Sequence, residues 1–407
     1  MKHMELLAPA GGMEQLAAAV RFGADAVYGG MKRYGLRAFA GNFDERELAS
    51  AVALCHAQGV RFYVTMNVLP RDEDMAGFLQ AARFAADAGV DAAIVSDLGA
   101  AKLLRDELPQ LSLHISTQMN VLNSRTAALV HELTPASRVV LARELTLEQI
   151  TRMRQTLPPE LELECFVHGA MCMAYSGRCI MSAVMAARSG NRGECAQSCR
   201  WHYEVVEEKR PGEYMPVLED ESGSYLFSSY DLCMLPHLPA LGRAGVASLK
   251  IEGRMKTAYY VASVVSVYRR ALDLLETLGD EAFEARVSEL MGELQKASHR
   301  KSNTGFYFGQ PEPPGGANGF EQSLRYVGDI ASDAAAGEPA LVRLKNRIAL
   351  GDALEVLTPE GAKAFPLTEM RLKETGESVA VATVAGTELW LRLPCDAHAG
   401  DFLRGPY

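Results

Sequence analysis

From Glu5 to Ile251, short runs of β-forming residues alternate with longer stretches whose apolar residues recur at helical spacing, and this alternation is the strongest constraint on the fold. The β-like runs are Glu5 to Ala8, Ala26 to Tyr28, Phe62 to Met66, Ala93 to Val95, Leu113 to Ser116, Val139 to Leu141, Leu163 to Val167 and Leu249 to Ile251. Between them lie helical stretches such as Met13 to Phe22, Glu45 to Gln58, Met75 to Ala88 and Leu98 to Glu107. Eight such units predict an α/β chain closed into a (β/α)8, TIM-like barrel. An open doubly wound sheet shares the alternation, but it calls for a glycine-rich phosphate turn after the first strand, which this chain lacks.

A barrel of this kind takes about 250 residues, and the chain has 407, so a second, smaller domain is expected. Helices from Lys256 to Leu278 and Ala282 to Ala297 complete a barrel domain spanning 1–309. The turn-rich segment Pro311-Glu-Pro-Pro-Gly-Gly316 marks a linker, 310–320. Residues 321–407 then read as a small all-β barrel or sandwich, with strands at Tyr326 to Ile330, Pro339 to Leu344, Ala353 to Leu357, Ser378 to Val384 and Leu389 to Leu393. One barrel connection is anomalous. The chain between strands seven and eight, 169–246, is far longer than the others and carries most of the cysteines.

The N-terminus has a lysine and a proline where a signal peptide needs an unbroken apolar core, and no apolar run is long enough to cross a bilayer. A cytoplasmic chain without membrane contact is expected, and there clustered cysteines signal metal or redox chemistry more than disulfides. Of eight cysteines, Cys55 and Cys165 fall on apolar faces and Cys395 lies near the C-terminus, and all three read as small core hydrophobes. Cys172, Cys179, Cys195, Cys199 and Cys233 fall instead in Gly- and Ser-rich loop sequence. Several soft thiolates in one loop suit iron–sulfur or zinc ligation, and the absence of any CxxC pair makes zinc the weaker of the two.

The stretch Glu164-Cys-Phe-Val-His-Gly-Ala-Met-Cys172-Met-Ala-Tyr-Ser-Gly-Arg-Cys179-Ile-Met-Ser182 resembles the signature of the collagenase-like peptidases of unclassified, U-type, mechanism. Leu7-Ala-Pro-Ala-Gly11, Gly23-Ala-Asp-Ala-Val-Tyr28, Asn42-Phe43, His114-Ile-Ser-Thr-Gln-Met-Asn120 and Lys250-Ile-Glu-Gly-Arg-Met-Lys256 extend the resemblance over nearly the whole chain. Despite the family name, the resemblance implies oxygen-independent hydroxylation and a [4Fe–4S] cluster on Cys172, Cys179, Cys195 and Cys233, with Cys199 as a substitute ligand. The segment His299 to Gly309 and the β-domain after it resemble the tRNA-hydroxylating branch. That branch implies 5-hydroxyuridine formation at the tRNA wobble position and a prephenate-derived small molecule as a further ligand.

In a closed barrel the residues just past the strand ends share one mouth. The resulting catalytic candidates are His168, His114 and Glu252, and the substrate-binding candidates are Arg37, Asn67, Asp97, Gln118, Arg143, Lys250 and Arg254. Guanidinium groups at Arg143 and Arg254 suit a carboxylate or phosphate. Peptide hydrolysis is the alternative function. It lacks an HExxH or GxSxG motif and would rest on His168 acting with Cys172. A non-catalytic RNA-binding protein with a structural cluster is a third reading. The net charge of −10 opposes RNA binding by bulk electrostatics, so an RNA substrate needs a local surface, a family paralogue or a second copy of the chain. Aromatic interleaving is thin, with two tryptophans, and the best basic patches are Arg200-Trp201-His202 and His299-Arg300-Lys301.

Overall fold

The computed structural model describes the chain except residues 1–2, 38–39, 173–174, 178, 180, 187, 189, 201–204, 207–213, 216–218, 221–222, 225–229, 310–319 and 407. Eight parallel strands form the barrel: β1 (Glu5–Pro9), β2 (Ala26–Gly30), β3 (Arg61–Met66), β4 (Ala92–Val95), β5 (Ser112–Ile115), β6 (Arg138–Val140), β7 (Glu162–Ala170) and β8 (Ser248–Ile251). Each pairs with the next, and β8 pairs with both β7 and β1, which closes the ring. Helices α1 (Met13–Arg21), α2 (Glu45–Ala57), α3 (Met75–Asp87), α4 (Leu98–Glu107), α5 (Ser124–Leu133) and α6 (Leu147–Thr156) connect successive strands. Asp44 and Thr146 cap α2 and α6 in capping boxes that fix where those helices start. The long connection contains α7 (Met181–Ala186) and α8 (Leu238–Arg243), and α9 (Ala258–Leu278) and α10 (Asp280–Leu294) come after β8.

Period-2 alternation sorts the strand side chains. Leu6, Val27, Phe62, Val64, Leu113 and Leu249 point outward into the main core beneath the helices. Leu7, Tyr28, Tyr63 and Ile94 belong to a separate apolar cluster inside the ring. The interior also holds buried charge. Arg138 Nη1 donates to Glu5 Oε1 at 2.5 Å and Glu164 Oε2 at 3.1 Å, Lys250 Nζ donates to Glu164 Oε1 at 2.7 Å, and Ser248 Oγ donates to Glu5 Oε1 at 2.8 Å. Tyr63 completes the set with a 2.7 Å hydrogen bond to Glu5 Oε2. All of these side chains are buried, and two carboxylates face two cations.

The long connection rejoins the sheet through a short strand, Asp231–Cys233, antiparallel to the end of β7 and parallel to Ser302–Asn303. Beyond residue 321 a seven-stranded antiparallel sheet forms the second domain around its own core. The predicted strand from Ser378 to Val384 shrinks to Val381–Ala382, which forms a two-residue ladder with Ile348–Ala349. Strands at Gly361–Pro366, Met370–Leu372 and Phe402–Pro406 carry weak β patterns and were not predicted. The domain docks on the barrel through Tyr326 stacked on Tyr259 at 5.2 Å, Phe402 against Phe22, and buried Arg404 paired with Glu355 at 2.6 Å and with Glu293. Among the described residues no helix is long and apolar enough to cross a membrane.

Removing one partner of a buried ion pair strands the other charge, which costs about 3–5 kcal/mol. Glu164→Leu should lower unfolding free energy by about that amount in chemical denaturation, and adding Lys250→Met should recover more than half. A loss below ~1 kcal/mol would contradict the role given to the network. Burial works to raise the Glu5 carboxyl, but Arg138, Arg61 and Tyr63 outweigh it and hold the group below its ordinary 4.5. Its stabilisation is therefore complete above pH 4.5 and lost as pH falls further. Denaturation midpoints should drop in acid, and Glu5→Gln should flatten that drop; an unchanged acid limb would contradict it.

Candidate active site at the barrel mouth

Where the strands end, a polar cavity of about 50 Å3, room for several waters or one small polar group, is lined by Tyr28, Thr65, Phe166, Lys250, Glu252 and Arg254. Arg37, Asn67, Gln118 and Arg143 reach it from the loops. Seven of the residues expected at the mouth therefore converge on one space. Lys250 lies within β8 and pairs with Glu164 below rather than with Glu252. Its ammonium also sits 4.3 Å from the centre of the Tyr28 ring.

Arg254 is the unusual member. It is 3% exposed and donates to Thr65 Oγ1 at 3.0 Å and to Asn42 Oδ1, both neutral, while its Nε is buried without a partner. No carboxylate among the described residues forms an ion pair with it. Burial, ahead of Arg37's repulsion and against the pull of Tyr28 and Glu252, lowers its pKa to about 10, so it remains charged at neutral pH. Gly30 makes room for it, since a Cβ there would overlap the guanidinium. Asn42, in the left-handed region with φ 51, is held by its amide donating to the carbonyls of Arg37 and Ala40. Arg37 lies 3.5 Å from Glu252 Oε1. Glu252, opposed by burial and joined by the thiols of Cys195 and Cys172, keeps the Arg37 guanidinium above its ordinary value. Those two cysteines thus lie on the Arg37 side of the mouth.

The loop after β7 is tied over this mouth. Glu144 accepts hydrogen bonds from the Ser176 amide at 2.9 Å and its hydroxyl at 3.1 Å, and Gly177, with φ 72, packs against the Gln118 carbonyl. Farther along, Arg192 pairs with Asp74 at 2.8 Å, and Ser182 Oγ lies 3.8 Å from Cys195 Sγ. Cys172 is exposed, and Cys179, Cys195 and Cys199 are half-buried. Soft, accessible thiols are the donor chemistry an iron–sulfur cluster needs. Cys233 differs. Its thiol is buried 3.9 Å from Met291 Sδ and beside Tyr268, on the side of the sheet covered by α9 and α10. Among the described residues no three His, Cys, Asp or Glu side chains converge as a ready metal site. The donor set fits a cluster in kind, and Cys233 joins it only by turning away from those helices. Cys55 and Cys165 are buried, with their thiols pushed up to about 12 by burial, as inert core cysteines require.

Three expected site residues lie elsewhere. A bulge in the β7–β8 pairing, between Lys250 and Ile251, turns His168 out of the inward series of Glu164 and Phe166. Its ring packs 5.5 Å from Tyr268 and 6.3 Å from Tyr260 of α9, and burial lowers its pKa to about 4. His114 points inward but below the cavity, edge-on to Tyr63 at 4.6 Å, and its pKa is well below the usual value through burial and then Arg138 and Lys250. Asp97 caps α4 by accepting from the Ala100 amide at 2.8 Å. Of the basic patches, Trp201 and His202 lie outside the described residues. Arg300 is buried, pairs with Asp231 at 3.6 Å and covers Phe320. Tyr28 and Thr65, which line the cavity, and Asn42, which holds Arg254, were not predicted as site residues; strand alternation signals the first two.

A buried guanidinium held only by neutral groups attracts a small anion. Small carboxylates should therefore raise the melting temperature in a concentration-dependent way, and Arg254→Met should remove that shift. An equal shift in the variant would contradict the assignment of the cavity as an anion site.

Residues 11–315 match the family described as Peptidase family U32, and residues 322–404 match the Peptidase family U32 C-terminal domain. The chain is 35% identical to the tRNA hydroxylation protein P of Escherichia coli K12, covering 96% of this chain and 94% of that protein. It is 37% identical to the tRNA hydroxylation protein P1 of Bacillus subtilis 168, covering 88% and 84%. It is also 34% identical to a protein named collagenase from Porphyromonas gingivalis, covering 75% and 74%. With a closed barrel, a thiol-bearing loop over its mouth and both family segments in order, the chain belongs to peptidase family U32 and carries that family's C-terminal domain.

Proposed function

We propose that this chain is an RNA hydroxylase that acts in 5-hydroxyuridine formation at the tRNA wobble position. The observation that carries the proposal is that the loop bearing the exposed Cys172 is tied, through Ser176 to Glu144 and Gly177 against Gln118, to the rim of the cationic cavity around Arg37 and Arg254. The names of the relatives, tRNA hydroxylation proteins similar over nearly the whole chain, supply the substrate class. In this reading Cys172, Cys179, Cys195 and Cys233 hold a [4Fe–4S] cluster, with Cys199 as the substitute for Cys233. When bound, the cluster supplies one-electron chemistry at a potential tuned by its surroundings.

The chain's own residues do the rest. Replacing C–H by C–OH without dioxygen balances in atoms and electrons when a donor gives up hydroxyl and takes the hydrogen. A small carboxylic acid, such as a prephenate-derived one, is a donor class whose carboxylate group the cavity has room for. Arg254, fixed by Thr65 and Asn42, binds its carboxylate, and Arg37 and Arg143 flank it. Among the described residues Glu252 is the one carboxylate lining the cavity, and it accepts from the Tyr28 hydroxyl at 3.4 Å. Ser176, held by Glu144, anchors the Cys172 loop at the rim of this space.

Peptide hydrolysis finds no such support. His168 faces the rings of α9, its Nδ1 3.5 Å from the Tyr268 hydroxyl, and so is not arranged to activate Cys172.

Anaerobically purified protein should be brown, with about four iron atoms per chain as the proposed cluster demands. Iron should fall sharply in Cys172→Ala, and comparing Cys233→Ala with Cys199→Ala identifies the fourth ligand. In a strain lacking the gene, 5-hydroxyuridine-derived tRNA nucleosides should be lost and return with wild type but not with Cys179→Ala. Unchanged nucleosides, or colourless protein active on peptides, would remove the proposal.

A further inference from the structure

The cationic cavity has room for one small polar group, not a tRNA, and the chain's charge of −10 makes a separate RNA-holding surface necessary. We propose that this surface is the outer face of the C-terminal sheet around Trp390, and that it takes a single-stranded segment of the RNA substrate by stacking a base on the indole.

The face arises from strand alternation. In the strand Glu388–Arg392, Leu389 and Leu391 are buried in the domain core, so Glu388, Trp390 and Arg392 point the other way. Trp390 lies opposite Leu341 on one neighbouring strand and Arg371 on the other, the edge strand Met370–Leu372. The half-buried indole thus sits in a shallow cleft of about 500 Å3 that Pro339, Glu369, Arg371 and Arg392 complete. A cleft of that size admits a nucleobase with its ribose, and its lining of tryptophan between two arginines offers a stacking plane with cations at its rim.

Charge selects the occupant. Arg343, Arg371, Lys373 and Arg392 share this face with Glu369 and Glu388, and Asp329, opposite Arg343 in the register, is paired with Lys345. Glu369 lies 2.6 Å from Arg371 and 3.6 Å from Arg392, and Glu388 lies 3.3 Å from Arg343, so both carboxylates are already shared among the cations. All four cations are exposed, where screening keeps such pairs weak and exchangeable. A cationic excess around one aromatic plane, on a chain that is acidic overall, fits a phosphodiester strand with its bases turned inward. It fits an apolar protein partner less well, because such a partner would have to desolvate four charges.

The inference rests on the proposed RNA substrate for its biological sense, but binding tests it separately from hydroxylation. With labelled tRNA and the full-length protein, Trp390→Ala should weaken binding about ten-fold, and Trp390→Phe should restore most of it. Arg371→Glu with Arg392→Glu should weaken it further and flatten the salt dependence. With hydroxylation as the readout, KM for tRNA should rise with kcat unchanged. Wild-type tRNA affinity in all these variants would overturn the proposal even if nucleoside analysis upholds the hydroxylase. Loss of self-association or of a protein partner in Trp390→Ala, with tRNA binding intact, would overturn it in favour of a protein-docking face. Trp390-dependent binding without any hydroxylated product would uphold the face and remove the hydroxylase reading.

Discussion

The ion network inside the barrel, Glu5 and Glu164 against Arg138 and Lys250, is the interaction on which the remaining architecture depends. It links β1, β6, β7 and β8, the strands that meet where the ring closes, and so fixes register there through charge as well as backbone hydrogen bonds. A barrel interior is ordinarily filled by branched apolar layers. Here the apolar cluster of Leu7, Tyr28, Tyr63 and Ile94 lies mainly on the first four strands, and the opposite side is ionic. Full pairing is what makes this tolerable in a low-dielectric interior.

The network also sets the character of the mouth. By engaging Lys250 from below, Glu164 neutralises the cavity floor, so the excess positive charge is carried by Arg254 and Arg37 above it. Arg138 and Arg254 are equally buried and oppositely treated. Arg138 is surrounded by carboxylates, whereas Arg254 has an amide, a hydroxyl and an unpartnered Nε. The first arrangement stabilises a fold; the second leaves a charge to be met by a ligand. Ser176 and Gly177 of the thiol-bearing loop are tied to Glu144 and Gln118 at the rim of the second.

Much of this is legible in the sequence. The eight strands lie within two or three residues of the predicted bounds because alternation and buried branched residues specify parallel strands well. Mouth residues sit just past the strand ends, a rule that holds wherever pairing is regular. It fails at His168, where one bulge reverses the inward series, and at Asp97, whose position after β4 is also the position of a helix cap. Arg254 is recognisable as a cation, but its want of a carboxylate depends on Asn42 and Thr65, brought from distant strands and loops. Trp390 gives no local signal for the same reason, since Arg371 and Leu341 become its neighbours only through sheet pairing. The short strands of the second domain escape because their burial is set by tertiary contacts rather than by local pattern.

The central claim is that the metal chemistry and the cationic cavity share one mouth. Anomalous diffraction at the iron edge, on crystals grown anaerobically, tests it directly. The account predicts a single compact iron peak over the cavity, bonded to Cys172 and Cys195 and next to Arg37. Iron bound elsewhere on the chain, or crystals of active protein with no iron peak, would contradict it.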